Sequence, residues 1–150
     1  MLEELEGQNM DQVPKLIVGA RHVDERGSLL FNNELNISNF RRMYIINNSD
    51  SQPFRGWHGH ELESKIFITL SGRIRFGAVR VKDWSAPDKS EVPEVAELKA
   101  DSLDAFFVPG GYANGILSLE PGSQALVISS STLSDSLLDD YRIESTFWKI

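Results

Sequence analysis

The chain has no cysteine among its 150 residues, which excludes a disulfide framework and thiolate chemistry. It also lacks any apolar run near the roughly 18 residues that a membrane-spanning helix requires. The first six residues, Met1–Glu6, are acidic and do not resemble a targeting segment. We therefore expect a cytoplasmic protein with no membrane partner.

Positive charge is also scarce. Fifteen lysines and arginines stand against 22 aspartates and glutamates, which gives a formal net charge of −7. Broad nucleic-acid binding depends on a basic surface, so this composition argues against it. An anionic small ligand would need a local cluster of arginines. A chain of this length fits one domain with its own core, and we expect residues 1–150 to form a single domain.

Sustained helical periodicity is largely missing as well. Short apolar runs separated by turn residues predict an all-β fold. The predicted strands are Leu16–Ala20, Leu29–Phe31, Met43–Ile46, Ser64–Leu70, Arg73–Val81, Ala105–Val108, Gly115–Ser118 and Ala125–Ser130. The segments Asp24–Gly27 and Ser71–Gly72 have the chemistry of hairpin turns. The polar, proline-containing stretch Lys82–Pro93 predicts a loop.

The C-terminal part has a different character. Residues 133–140 predict a short helix with Ser134 as its N-cap, and the segment Tyr141–Trp148 is an apolar, aromatic tail. The edge strands of a β-sandwich must be covered. We therefore predict a homodimer, with the aromatic tail suited to packing between subunits.

The segment Arg55–His60 is the most informative part of the sequence. It reads Arg-Gly-Trp-His-Gly-His and contains two of only three histidines in the chain. If it is a strand, His58 and His60 point to the same side, because side chains alternate along a strand. Gly59 allows another group to approach closely between them. The pattern predicts two imidazoles in one cavity.

About eight short strands with glycine-rich turns predict a closed barrel or a jelly roll. Gly56, His58, His60 and Glu63 resemble the first sequence motif of the cupins, and Pro109–Asn114 resembles the second. The resemblance implies a cupin-type jelly-roll barrel. Asn114 stands where a metal-binding cupin has its last histidine, and an amide is a poor ligand for transition metals. We expect neither a metal ion nor another cofactor.

Within the cupins, the chain resembles the dTDP-4-dehydrorhamnose 3,5-epimerases and the related sugar 3,4-ketoisomerases, which process nucleotide-linked 4-keto-6-deoxyhexoses. Three segments are similar to epimerase motifs, and three are closer to the ketoisomerases. The epimerase-like segments are Asp24–Gly27, Arg55–His58 and Val108–Gly115. The ketoisomerase-like segments are His58–His60, Arg42–Tyr44 and Asp139–Ile143.

This resemblance implies roles for several residues. Both reactions begin with removal of a hydrogen next to a ketone, and a histidine that is neutral near pH 7 is a suitable base. His58 matches the catalytic base, and His60 could donate a proton or bind sugar hydroxyls. Lys65 would stabilise the enolate oxygen, and Tyr44 would act as an acid. An aspartate could orient His58; the possibilities are Asp101, Asp104, Asp139 and Asp140.

The resemblance also implies substrate contacts. Arg26 and Arg55 match positions that contact the sugar or the diphosphate, for which a guanidinium is well suited. Trp57 and Tyr112 could stack on the nucleotide base, although buried aromatic residues are more often part of a core. Asn114 is included in the expected substrate-binding set. The expected partner is a nucleotide sugar, with dTDP the expected nucleotide.

Val127 bears on the choice of reaction. The epimerases have a tyrosine near this position that protonates the sugar from the face opposite the base, and valine cannot donate a proton. We expect an epimerase that inverts C3, with inversion at C5 weaker or absent. The alternatives are a 3,4-ketoisomerase, a non-catalytic protein that binds sugar nucleotides, and a metal-dependent cupin dioxygenase, which Asn114 disfavours.

Overall fold

A computed structural model describes residues 12–150 of the chain. Almost all of the regular structure is β-strand. The strands are β1 (Lys15–Ile17), β2 (Ala20–Asp24), β3 (Gly27–Phe31), β4 (Arg42–Asn47), β5 (Phe54–His60), β6 (Lys65–Ser71), β7 (Arg73–Arg80), β8 (Glu94–Lys99), β9 (Ala105–Val108), β10 (Tyr112–Ser118), β11 (Gln124–Ser129) and β12 (Tyr141–Arg142), and the helix is α1 (Leu133–Leu138). No helix within residues 12–150 is long and apolar enough to cross a membrane.

The strands form two five-stranded antiparallel sheets and one separate hairpin. The first sheet has the order β1-β9-β6-β11-β4, and the second has the order β12-β5-β10-β7-β8. Within residues 12–150, the strands β2 and β3 pair with each other and with no other strand. Because side chains of both large sheets meet in one apolar cluster, the sheets face each other as in a jelly-roll barrel. The predicted all-β cupin-type fold is confirmed.

The core between the sheets follows from alternation along the strands. Phe67 and Val127 of the first sheet meet Ile74, Phe76 and Ile116 of the second. The Phe67 and Phe76 rings lie 5.1 Å apart between centroids. Fully burying an apolar side chain of this size stabilises the fold by about 1.5–3 kcal/mol. This packing holds the two sheets at a fixed separation.

The outer face of the second sheet is covered by the C-terminal tail. Trp148 packs edge-on against Trp57, with 5.4 Å between ring centroids, and its backbone carbonyl accepts a hydrogen bond from the Trp57 indole at 3.2 Å. Tyr141 stacks on Trp84. The aromatic tail therefore packs on the body of its own chain.

The turn and loop predictions have mixed outcomes. The Asp24–Gly27 hairpin is confirmed, because Asp24 and Gly27 close the β2-β3 ladder, and residues 82–93 contain no strand or helix. The predicted Ser71–Gly72 hairpin is wrong. Gly72, at a φ of 73°, joins β6 of the first sheet to β7 of the second. Local turn chemistry does not reveal whether the chain pairs back or crosses to the facing sheet.

Other differences concern element bounds. The predicted strand Leu16–Ala20 is the end of β1 and the start of β2, with a break between them. β8 and β12 have no counterpart among the predicted strands, and β5 was predicted only from the condition that Arg55–His60 is a strand. The inward apolar side chains of β8 are Leu98 and the small Ala96. The alternation of apolar and polar residues in this strand is therefore weak. The helix ends at Leu138, and its N-cap is Thr132, whose hydroxyl accepts a hydrogen bond from the Asp135 backbone, so Ser134 is not the cap.

Replacing Trp148 tests the packing of the tail on its own subunit. We expect Trp148→Ala to lower the free energy of unfolding by about 3–5 kcal/mol, because it removes a large buried ring and leaves a cavity against Trp57. Leu138→Ala is the control, since Leu138 is 88% exposed. Urea unfolding followed by far-UV circular dichroism gives both values. Equal stabilities of the two variants would contradict this account of the tail.

Candidate active site

The two histidines of β5 point to the interior of the barrel. Trp57 belongs to the cluster on the outer face of the second sheet, and a Cβ on Gly59 would meet Trp84 on that face at 2.0 Å. Since alternate residues face opposite sides, His58 and His60 face inward together. The predicted shared face is confirmed. The group that approaches Gly59 is Trp84, from the opposite side.

Lys65 and Tyr44 come from the facing sheet. Lys65 begins β6 and is only 6% exposed, and its ammonium lies 5.9 Å from the centroid of the Tyr44 ring. Within residues 12–150 the ammonium makes no hydrogen bond or ion pair. Its charge acts on both His58 and Glu63. The structure thus brings His58, His60, Lys65 and Tyr44 together at one end of the interior.

Strand β10 runs beside the histidines. Asn114 is paired with His58, and Tyr112 is paired with His60. Both are buried, so Asn114 lies next to the site. Tyr112 packs in the central core, and burial raises the pKa of Tyr112, while the charge of Arg80 opposes this shift.

The other three residues predicted to contact the substrate have different surroundings from Asn114 and Tyr112. Trp57 is buried on the opposite face of β5, so the prediction that it stacks on a base beside the histidines is wrong. Arg26 is 82% exposed at the hairpin turn, where Asp24 is its ion-pair partner at 2.6 Å, and the structure does not bring it to His58 or His60. Arg55 is exposed on β5.

Glu63 is the residue whose role the sequence analysis missed. Its carboxylate is completely buried and accepts hydrogen bonds from several donors. They are Arg42 Nη2 at 2.9 Å, Ser136 Oγ at 3.0 Å and the hydroxyl of Ser129. His60 Nδ1 also lies 2.9 Å from Glu63 Oε2. The spacing of three residues between His60 and Glu63 was the signal available in the sequence. The resemblance to a cupin motif suggested only that these residues are metal ligands.

The donors keep Glu63 ionised despite its burial. Burial alone would raise the pKa of Glu63, but the hydrogen bonds from His60 and Ser129 and the charge of Lys65 outweigh it and lower the pKa to about 2. A buried carboxylate is stable only when its lone pairs are satisfied in this way. Glu63 therefore holds its neighbours in place and does not exchange protons near neutral pH.

His60, and not His58, is the histidine that pairs with a carboxylate. Its Nδ1 faces both Glu63 Oε2 and the backbone carbonyl of Asp139, the latter at 2.6 Å. The Asp139 carboxylate instead accepts hydrogen bonds from the backbone N–H groups of residues 61, 62 and 63. No aspartate carboxylate within residues 12–150 hydrogen-bonds His58, so the structure does not contain the expected Asp–His58 pair.

His58 sits in a different environment. Burial of the imidazole lowers the pKa of His58 to about 4, with further lowering by the charges of Arg142 and Lys65 and a partial opposing effect of Asp140. Arg142 is paired directly with His58 across β12 and β5. At neutral pH, His58 is therefore an uncharged imidazole. A neutral ring can accept a proton.

The donor set does not fit a transition metal. His60 Nδ1 and both Glu63 oxygens are engaged by protein groups, and the residue opposite His58 is an amide, Asn114. Within the part of the chain that the structure describes, no group of three or more histidine, aspartate or glutamate side chains could hold a metal ion. Amide oxygens are weak ligands for the metals that imidazole prefers.

A sizeable cavity of about 660 Å³ lies elsewhere, on the outer side of the first sheet. Phe40, Arg41, Ile66 and Phe107 are among the residues that line it, and neither His58 nor His60 is. The chemistry of the side chains, and not cavity size, identifies the interior end of the barrel as the candidate site.

Two facing antiparallel sheets with paired inward histidines define a cupin-type jelly roll. Residues 10–148 match the family described as FdtA: WxcM-like, C-terminal. The chain belongs to this family. No curated protein matches the chain significantly in sequence.

The chain is also similar to solved structures of sugar-nucleotide enzymes. The rmlC epimerase of Mycobacterium tuberculosis is 20% identical, with 91% of this chain and 71% of that chain covered and a TM-score of 0.72. ChmJ, a 3'-monoepimerase from Streptomyces bikiniensis in complex with dTDP-quinovose, is 14% identical, with 89% and 70% covered and a TM-score of 0.70.

A third structure is a mutant of the 3,4-ketoisomerase QdtA from Thermoanaerobacterium thermosaccharolyticum, in complex with TDP-4-keto-6-deoxyglucose. It is 18% identical, with 89% of this chain and 90% of that chain covered and a TM-score of 0.65. The predicted resemblance to sugar epimerases and ketoisomerases is confirmed. At these identities the similarity establishes the fold and not the reaction.

The lowered pKa of His58 predicts how stability depends on pH. The folded ring titrates at about 4 and an unfolded histidine at about 6.5, so the unfolded chain binds more protons between these values. This contribution to stability is fully present above pH 6.5 and is lost as the pH falls to about 4. Because His58 is only partly buried, we expect a loss on the order of 1–2 kcal/mol.

Unfolding titrations across this pH range measure the effect. His58→Asn should flatten the decline between pH 6.5 and 4, whereas His22→Asn should retain it, because His22 is exposed on the separate hairpin. Protonation of Glu63 changes the stability at lower pH, between its unfolded pKa of about 4.5 and its folded pKa of about 2. An unchanged decline in His58→Asn would show that His58 is not the group responsible.

Proposed function

We propose that the protein is an isomerase that acts on a nucleotide-linked 4-keto-6-deoxyhexose, with dTDP the expected nucleotide, and that the reaction begins with removal of the C3 hydrogen next to the ketone. The observation that carries this proposal is the placement of two inward histidines on one sheet opposite Lys65 and Tyr44 on the other. The ligands named for the similar structures, dTDP-quinovose and TDP-4-keto-6-deoxyglucose, support the substrate class.

His58 is the base of this reaction. Its uncharged ring meets the first requirement of a general base at neutral pH, and its low pKa makes it a weak base that returns the proton readily. The hydrogen next to a ketone is acidic only if the charge that develops on the ketone oxygen is stabilised. The mechanism therefore needs a second group.

Lys65 supplies that stabilisation. Lys65 is only 6% exposed, and its ammonium makes no ion pair with a carboxylate within the described residues, so its hydrogen-bond donors are available to an oxygen of the substrate. A fixed cation in a water-poor interior stabilises a developing enolate strongly. We place the C4 oxygen of the sugar near Lys65 and the C3 hydrogen near His58.

Tyr44 provides an acid on the other side of the cavity. It is the direct cross-strand neighbour of Val127, and neighbours of this kind have Cβ atoms about 4.5–5.5 Å apart on the same face. A phenol at residue 44 thus lies beside the position where the epimerases carry their tyrosine. This arrangement supports proton return to C3 from the face opposite His58, which inverts that carbon. This arrangement places no donor toward C5.

Ketoisomerisation between C3 and C4 is the second candidate, with equal support. The chain covers 90% of the length of the QdtA structure but about 70% of the two epimerases, and two histidines on one face could move a proton between adjacent carbons on that face. Here the C3 hydrogen goes to His58 and the C4 ketone oxygen gains a proton, which gives an enediol. The hydroxyl proton at C3 then leaves and C4 receives a proton, so that the ketone stands at C3 and the hydroxyl at C4. A protein that only binds the sugar nucleotide would do neither.

The test is incubation with dTDP-4-keto-6-deoxyglucose in deuterated water, followed by NMR. We expect deuterium at C3, with inversion of C3 and the ketone still at C4. A ketone at C3 would assign the ketoisomerase reaction instead. Absence of deuterium incorporation together with nucleotide binding would support a non-catalytic binding protein and overturn the proposal.

Two variants sharpen this experiment. His58→Asn should reduce deuterium exchange at C3 by about 10²–10⁴-fold, the usual effect of losing a general base, while nucleotide binding survives. Tyr44→Phe should slow inversion more than exchange, because it removes the acid and leaves the base. Exchange at the normal rate in His58→Asn would move the base to another residue.

We also propose that the protein is a homodimer. Large apolar side chains are exposed on the separate hairpin and on the edge strand β4, namely Val23, Leu29, Met43 and Ile45. An exposed edge strand with apolar neighbours is normally covered by another chain.

Light scattering at micromolar concentration should give twice the chain mass of 16.9 kDa. Replacing Met43, which is 73% exposed, with glutamate should shift the protein toward the monomer, because a buried unpaired charge is costly. The matched control is Val92→Glu, because Val92 is 81% exposed and lies in the segment between β7 and β8 of the second sheet. A wild-type monomer would contradict the proposal.

A further inference from the structure

The two ring nitrogens of His60 differ in their hydrogen-bond partners. Nδ1 faces two acceptors, the Glu63 carboxylate at 2.9 Å and the Asp139 carbonyl at 2.6 Å. Nε2 is buried and has no hydrogen-bond partner within residues 12–150. The whole residue is only 4% exposed, so water does not readily satisfy Nε2.

Two acceptors at one nitrogen determine where the proton lies. A carboxylate and a carbonyl oxygen have only lone pairs to offer, so Nδ1 must carry the hydrogen and donate it. A neutral ring with hydrogen on Nδ1 has a lone pair on Nε2. That lone pair points into the barrel, because His60 shares the inward face of β5 with His58. An unpaired buried acceptor is costly unless a ligand donates to it.

We propose that Glu63 is a positioning residue that holds His60 with its proton on Nδ1, so that Nε2 accepts a hydrogen bond from a hydroxyl group of the bound sugar. The inference replaces the expectation that His60 donates a proton. Its consequence for catalysis rests on the proposed function, but the proton position is a property of the free protein.

The other contacts of Glu63 explain why it can do this. Arg42, Ser129 and Ser136 bind the carboxylate from β4, from β11 and from α1, so the oxygen that meets Nδ1 has a fixed direction. Asp139 adds a second restraint, because its carboxylate fixes the backbone of residues 61–63 while its carbonyl meets the ring. The imidazole is therefore held from two sides.

The chemistry of the ligand follows from the difference between the two ring nitrogens. Only Nδ1 has acceptors within residues 12–150, and Lys65 lies across the cavity. A hydroxyl group is the complementary ligand for Nε2, since it can donate to the lone pair and accept from a cation such as Lys65.

The proton position can be measured directly by nitrogen-15 NMR of the imidazole rings at neutral pH. The chain has only three histidines, so His22→Asn and His58→Asn assign the spectrum. We expect His60 to show a protonated Nδ1 and a lone pair on Nε2, with the Nε2 signal shifting when a nucleotide sugar binds. A proton on Nε2, in a neutral or a charged ring, would overturn the proposal.

Glu63→Gln tests the role of the carboxylate, and Glu61→Gln is the matched control. The control makes the same chemical change two residues away, at an exposed side chain whose carboxylate accepts a hydrogen bond from the Tyr141 hydroxyl. In Glu63→Gln the Asp139 carbonyl still accepts from Nδ1, but the amide N–H of glutamine can also donate to this nitrogen. We therefore expect the Nε2-protonated form of His60 to become detectable and kcat/KM to fall by about 10–100-fold, the usual effect of losing a residue that orients a functional histidine. Glu61→Gln should change neither.

Three outcomes separate the possibilities. A wild-type tautomer in folded Glu63→Gln would show that Glu63 does not hold the proton. If Glu63→Gln does not fold, the wild-type spectrum and Glu63→Asp, which keeps the charge and should retain the Nδ1 proton, still decide the matter. If the tautomer is as expected but the wild type catalyses no exchange at C3, the proposed function fails and the positioning of His60 stands.

Discussion

The buried carboxylate of Glu63 connects the main parts of this fold. His60 belongs to the second sheet, Arg42 and Ser129 belong to the first, and Ser136 belongs to the helix. Removing a carboxylate from water costs several kcal/mol unless every lone pair is satisfied. Because the donors come from separate elements, the ion is stable only when those elements are in their native positions. The end of the barrel that holds the histidines is therefore ordered by the same interaction that joins its layers.

The remainder of the interior is apolar, and this contrast locates the site. Between the sheets, rings and branched side chains such as Phe67, Phe76 and Val127 fill the space. At one end of the interior, charged and hydrogen-bonding groups from β4, β5, β6, β10 and β11 replace them. A substrate bound there has packed hydrocarbon on one side and polar groups on the other. Electrostatic effects are stronger in such surroundings than in water.

Much of the fold followed from the sequence because the period-2 alternation is strong where strands are buried. The face shared by His58 and His60 needed only the spacing of two residues and the assumption of a strand. The sheet to which each strand belongs did not follow from local pattern, which is why the Ser71–Gly72 turn was misassigned. The same alternation places Trp57 on the face of β5 opposite to the histidines. The resemblance to the epimerases instead suggested that Trp57 contacts the substrate.

Long-range contacts limit how much of the candidate site can be predicted from the sequence. Arg42, Ser129 and Ser136 lie 21, 66 and 73 residues from Glu63 along the chain, and no spacing rule connects them. The Asp139 carbonyl is a backbone group, so its contact with His60 leaves no trace in residue type. The sequence could identify the functional residue types, but only folding reveals which histidine has a carboxylate partner.

The outer face of the second sheet, behind β5, determines the tryptophan fluorescence of this protein. All three tryptophans of the chain lie there in one cluster, with Trp57 against Trp148 and Trp84 against Gly59. The first sheet contains none. Intrinsic tryptophan emission is therefore a local probe of the strand that carries the two histidines, and it is insensitive to changes confined to the opposite sheet.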